Sequence, residues 1–107
     1  MTIAHLEILE SLFARNHWIV DRREEGDDYR ISAVWHLKRP DGTGTLTVEF
    51  QGFDDLVCLP IEKSYGCDVL QIPECGLYFS RVNHARWPTD LETFEAQIRM
   101  FNQSQGW

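Results

Sequence analysis

Cys58, Cys67, Cys75 and His84 are the soft or borderline metal ligands in the second half of the chain. Thiolates with an imidazole would suit a zinc ion if the fold brought them together. Their spacing argues against that use. The cysteines are separated by eight and seven residues, whereas structural zinc sites are built on a close Cys-x2-4-Cys pair. Free cysteine more often serves as a small buried hydrophobe, and Cys58 lies in the apolar run Leu56-Val57-Cys58-Leu59. No metal ligand and no cofactor is therefore assigned.

A second chemistry would use Cys75, placed before Gly76 in a turn, as a thiol nucleophile with His84 or His36 as its base. Such a pair is recognised by its geometry in space, and no local signature announces it here. Asp27-Asp28 and Asp54-Asp55 are adjacent carboxylates, and turn formation accounts for them without acid–base work. No catalytic residue is assigned, and a small enzyme using His36, Cys75 or His84 stands as the alternative.

The segment Arg81-Val82-Asn83-His84-Ala85-Arg86-Trp87 joins cationic and aromatic side chains, a combination that stacks on bases or anchors protein contacts. A nucleic-acid footprint needs a broader basic surface, and residues 56–107 carry four basic against six acidic side chains. Arg81, His84, Arg86 and Trp87 are thus read as a protein-contact candidate beside the plainer reading of a strand-to-helix loop. Opposite in character is Glu24-Glu25-Gly26-Asp27-Asp28. Glu24, Glu25, Asp27 and Asp28 form an acidic run that steers a basic partner toward the domain.

Charge over the whole chain points the same way. Ten Lys and Arg against seventeen Asp and Glu give a net charge of −7 in 107 residues, which repels phosphate backbones and anionic lipid. The start of the chain shows no secretory signal, and no apolar run reaches the roughly 20 residues that cross a bilayer. An odd number of cysteines in a chain of this size argues for reduced thiols, so a cytoplasmic location is expected.

These residues have to be positioned by a single domain spanning residues 1–107, since the length leaves no room for a second core. Ile3, Leu6, Leu9, Leu12 and Phe13 recur at helical spacing behind Thr2, and Asn16 and His17 end that helix. Trp18-Ile19-Val20 reads as a short strand leading into a charged, solvated connection over residues 21–28. Tyr29, Ile31, Ala33, Trp35 and Leu37 then alternate with Arg30, Ser32, Val34, His36 and Lys38. Past the turn residues Pro40-Asp41-Gly42-Thr43-Gly44, Leu46, Val48 and Phe50 alternate again, which predicts an antiparallel hairpin.

Further strands are suggested at Leu56-Val57-Cys58-Leu59, at Val69, Leu70 and Ile72, and from Leu77 to Val82. Thr89-Asp90-Leu91-Glu92 reads as a capping box. The helix behind it carries Leu91, Phe94, Ile98 and Phe101 inward and should fray over residues 102–106. Of the four tryptophans, Trp35 is expected in the core, and Trp18, Trp87 and Trp107 are the candidates for exposure.

The expected fold is α+β: an antiparallel sheet of four to six strands with an N-terminal and a C-terminal amphipathic helix packed on one face. The expected function is an acidic protein-binding domain, an inhibitor, immunity-type or accessory adaptor protein acting on a basic protein partner. Nucleic acid and membrane are not expected as partners. An oligomeric structural module is the remaining alternative, with the oligomeric state left open.

Overall fold

Leu9, Leu12 and Phe13 share one face of a helix, and that spacing folds the chain's first element, α1 (Ala4–Arg15), around a fully buried stripe. The computed structural model describes residues 4–25, 31–51, 66–78 and 87–107. α1 stops where expected, at Asn16 and His17, by a Schellman turn. The amide of Trp18 donates to the carbonyl of Phe13 at 2.8 Å and that of His17 to Ala14 at 3.0 Å. His17 takes the left-handed conformation usually given to glycine, with φ 68°, at a cost of about 1 kcal/mol. The turn folds Trp18 inward. Its ring is 1% exposed, which corrects the expectation of a surface tryptophan: position follows the capping geometry, not the polar neighbours.

A second correction concerns the charged stretch that follows. β1 (Ile19–Glu25) is a strand throughout, not three residues and a loop. It pairs antiparallel with β2 (Ile31–Lys38), from Ile19 opposite Lys38 to Glu25 opposite Ala33, with a bulge between Val20 and Arg22. Charge disguised it. An edge strand keeps both faces partly in water, so polar side chains cost it little and discourage edge-to-edge aggregation.

The hairpin of β2 with β3 (Thr45–Gln51) is the one the alternation predicts. Trp35 lies opposite Val48 and Leu37 opposite Leu46. Ala33, Trp35, Leu37, Leu46, Val48 and Phe50 are buried, and the Trp35 and Phe50 rings meet at 4.6 Å. In the turn, Gly42 adopts φ 76°. Asp41 Oδ1 accepts from the amide of Thr43 at 3.0 Å and from its hydroxyl at 2.6 Å, which holds the carboxyl below its ordinary value.

β4 (Gly66–Val69) and β5 (Gly76–Tyr78) complete a five-strand antiparallel sheet in the order β1-β2-β3-β4-β5. Leu70 and Ile72, expected in a strand, lie in the turn between these two. The expected strand at residues 56–59 and the segment beyond Tyr78 lie outside the described residues.

α2 (Trp87–Ser104) begins two residues before the expected capping box. Pro88 suits a helix's first turn because its fixed φ is already helical and it has no N–H to leave unpaired. Thr89 is therefore inside the helix, where its carbonyl accepts from the Thr93 hydroxyl at 3.2 Å. Phe94 and Ile98 are buried in the same core as α1 and the strands, with Leu91 and Phe101 packed against it. Phe13 and Phe94 meet edge to face at 6.1 Å.

The far end of α2 does not fray as expected. It closes with a second Schellman turn: Gly106 has φ 81°, its amide donates to Gln103 at 3.0 Å, and the amide of Trp107 donates to Asn102 at 2.9 Å. Trp107 thereby occupies the same place after α2 that Trp18 occupies after α1. The two rings meet edge to face at 5.4 Å. Trp18 Nε1 donates to Asn102 Oδ1 at 3.0 Å, and Asn102 Nδ2 donates to the carbonyl of Asn16 at 3.1 Å.

Arg39, at the start of the hairpin turn, places its guanidinium 5.4 Å from the Trp18 ring and 4.6 Å from the Trp107 ring. Only 9% of Arg39 is exposed. Across the turn, Gly44 has no side chain because a Cβ there would run into the Trp107 ring. Lysine offers no planar face and a more strongly hydrated charge. Arg39→Lys should therefore lower stability by about 1–2 kcal/mol, read from the urea midpoint at unchanged slope.

Candidate functional site

The acidic run begins on the sheet's edge. Glu24 and Glu25 end β1, both exposed. Glu24 faces His36 Nε2 at 2.7 Å and Arg22 Nη2 at 3.4 Å, and its hydrogen bond with His36 holds its carboxyl below the ordinary value. Glu25 has no ion pair among the described residues. Asp27, Asp28, Arg81, His84 and Arg86 lie outside the described residues, and Trp87 opens the backbone of α2.

The structure separates two groups that the enzyme alternative names. His36 projects from β2 between the buried Trp35 and Leu37, on the side away from the core, while Cys75 is buried inside the core. The structure does not bring these two together. Burial, reinforced by Asp68, pushes the Cys75 thiol up to about 12, and Cys67 is raised by the same cause. Such thiols are protonated at neutral pH and are poor nucleophiles and ligands. Cys58 and His84 lie outside the described residues, and among the described residues no three His, Cys, Asp or Glu side chains gather as metal ligands.

A buried carboxylate that composition does not single out is Glu95, on α2. Arg15 binds it through two N–H groups, Nε to Oε2 at 2.7 Å and Nη2 to Oε1 at 2.8 Å. Asn16 Nδ2 adds a bond to Oε2 at 2.7 Å while also donating to the Leu12 carbonyl at 2.8 Å. Arg15 foremost, then Asn16 and Arg99, bring the Glu95 carboxyl down to about 2. Every partner is a residue of a helix or its cap, so the group fastens α1 to α2 and has no free lone pair facing a substrate.

Among the described residues, a surface open to another molecule lies where α1 passes over β1. A groove of about 350 Å³ runs between them, with Ala14, His17, Trp18, Ile19, Val20 and Pro40 around it. Glu10 of α1 and Arg23 of β1 form an ion pair at 2.7 Å along its side, and the Arg23 guanidinium sits 5.0 Å from the Trp35 ring. Ile19 is 47% exposed. Trp18 apart, none of these residues stands out in the sequence as part of a site, because each is ordinary alone and the groove arises only when residues 21–25 form a strand.

Two measurements check this account. Because the Glu95 pKa is lowered, its contribution is fully present above the ordinary value of 4.5 and is lost as pH falls through about 2. Glu95→Gln should remove about 2 kcal/mol at pH 7, discounted for the half-exposed Arg15, and flatten the acid limb of a stability–pH curve. Iodoacetamide at pH 8, read by peptide mass spectrometry, should leave Cys67 and Cys75 unlabelled in the folded protein and label both in urea. Rapid native labelling of Cys75 would revive the nucleophile. Compared with protein-family models, curated proteins and solved structures, the chain finds no match.

Proposed function

We propose that this chain is a small acidic protein-binding domain, an inhibitor, immunity-type or accessory adaptor protein that docks on a basic surface of a protein partner. The observation that supports this reading is the charge arrangement on the exposed edge strand. Asp21 is paired with Lys38 at 3.2 Å, Arg22 and His36 with Glu24, and Arg23 with Glu10. Those pairs neutralise the middle of β1 and leave Glu25, followed by Asp27 and Asp28, as a net negative end on a chain of charge −7. A cleft evolved to hold phosphate is one kind of basic surface that such an end would fit. In the same reading both helices cover one face of the sheet, leaving the other face and the β1 edge for contact.

Charges at the edge of an interface act mainly on the rate of encounter. With a partner captured from lysate and purified, Glu24→Gln, Glu25→Gln, Asp27→Asn and Asp28→Asn together should slow association about ten-fold at low salt. The difference should shrink at high salt, with dissociation little changed and the thermal melt preserved. Stopped-flow rates that match those of the unaltered protein would sink the steering argument.

A further inference from the structure

We infer that the free edge of β1, together with the groove beside it, is a strand-addition site for an extended segment of a different protein, apolar at one end and basic at the other. The inference deepens the protein-binding reading and rests on it. β1 ends the order of the sheet, so among the described residues no strand uses its outer edge. An extended segment added there gains main-chain hydrogen bonds whatever its sequence, and its side chains supply the selectivity.

The faces of β1 fix what those side chains must be. Val20, Arg23 and Glu25 stand opposite Leu37, Trp35 and Ala33, which point into the core. These three therefore line the side of β1 that α1 overlooks. An incoming segment paired antiparallel to β1 sends every second side chain to that same side. Opposite Val20 the side chain enters the groove beside Ala14 and Trp18, where an apolar group is wanted. Opposite Glu25 it meets the one carboxylate of β1 with no ion pair among the described residues, where a cation is wanted. Arg23 between them is already matched by Glu10.

Strand pairing also decides against a second copy of this chain as the occupant. Two identical antiparallel strands related by a two-fold axis set the residue on that axis opposite itself. With the axis on Asp21, Arg22, Arg23, Glu24 or Glu25, the residue set opposite Val20 is Arg22, Glu24, Gly26, Asp28 or Arg30, none of which is the apolar group that the groove favours. A foreign strand has no such constraint.

The probe is the capped peptide Lys-Lys-Thr-Thr-Leu-Val. Laid antiparallel, its lysines fall opposite Glu25 and Glu24 and its leucine opposite Val20, with Asp21 taken up by the bulge. Titration into the full-length protein, followed by backbone amide shifts and hydrogen exchange, should perturb β1 and the Ala14 flank of α1 and protect β1 amides. Ala14→Arg, at an exposed helix position, should keep the melting temperature and weaken the peptide about ten-fold by filling the groove. Changing the peptide's leucine to threonine should weaken it to a similar degree. No binding at millimolar peptide, perturbation away from β1, or equal binding by Ala14→Arg would overturn the site. A concentration-dependent dimer with protected β1 amides would overturn it in favour of a second copy. If the peptide is inert while the charge-neutralised protein still associates slowly, only this site falls and the acidic-binder reading stands.

Discussion

A guanidinium held between two indoles is the arrangement on which the rest of this fold depends. Arg39 is nine-tenths buried, and its Nε and Nη1 have no hydrogen-bond partner. Removing a cation from water costs several kcal/mol. Two contributions offset the cost. The faces of Trp18 and Trp107 attract the cation. Both rings follow directly on helix C-termini, where the unpaired carbonyls leave partial negative charge.

That arrangement sets the position of everything around it. Trp18 belongs both to the clamp and to the groove wall, and Pro40 follows Arg39 directly. Asn102 joins the Trp18 ring to the carbonyl of Asn16, and two helix turns earlier Glu95 ties the same end of α1 to α2. The groove's floor and one end are thus held by buried, hydrogen-bonded and stacked side chains, while its open side is the exposed edge of β1. A rigid floor beside an open edge loses little entropy when something binds there.

Much of the scaffold was legible from periodicity alone. The 3.6-residue stripes of Leu9, Leu12 and Phe13 and of Phe94 and Ile98, and the two-residue alternation on either side of Gly42, each report burial directly. What hid was structure whose stabilisation is not apolar burial on a repeating face. β1 is held by ladder bonds and ion pairs, so its side chains read as a loop. Trp18 and Trp107 are placed by capping turns, one of them carried by a histidine where glycine is usual. Glu95, Asn16 and Asn102 look like surface residues until their partners, about eighty positions away, are known. The candidate site was half legible for the same reason: Glu24 and Glu25 announce charge, but the groove next to them is a product of tertiary contact.

The meander order of the strands has a kinetic consequence. Each described strand pairs with its neighbour in sequence, so the sheet's pairings are more local than the contacts of α2, and local contacts form quickly. The Glu95 and Asn102 bonds instead join residues 79 to 86 positions apart, which makes the docking of α2 a step with a large loop to close. Contacts formed after the folding barrier govern how fast a protein comes apart, not how fast it forms. If α2 docks after that barrier, the indole-guanidinium stack works as a timer, setting how long a folded copy lasts between unfolding events.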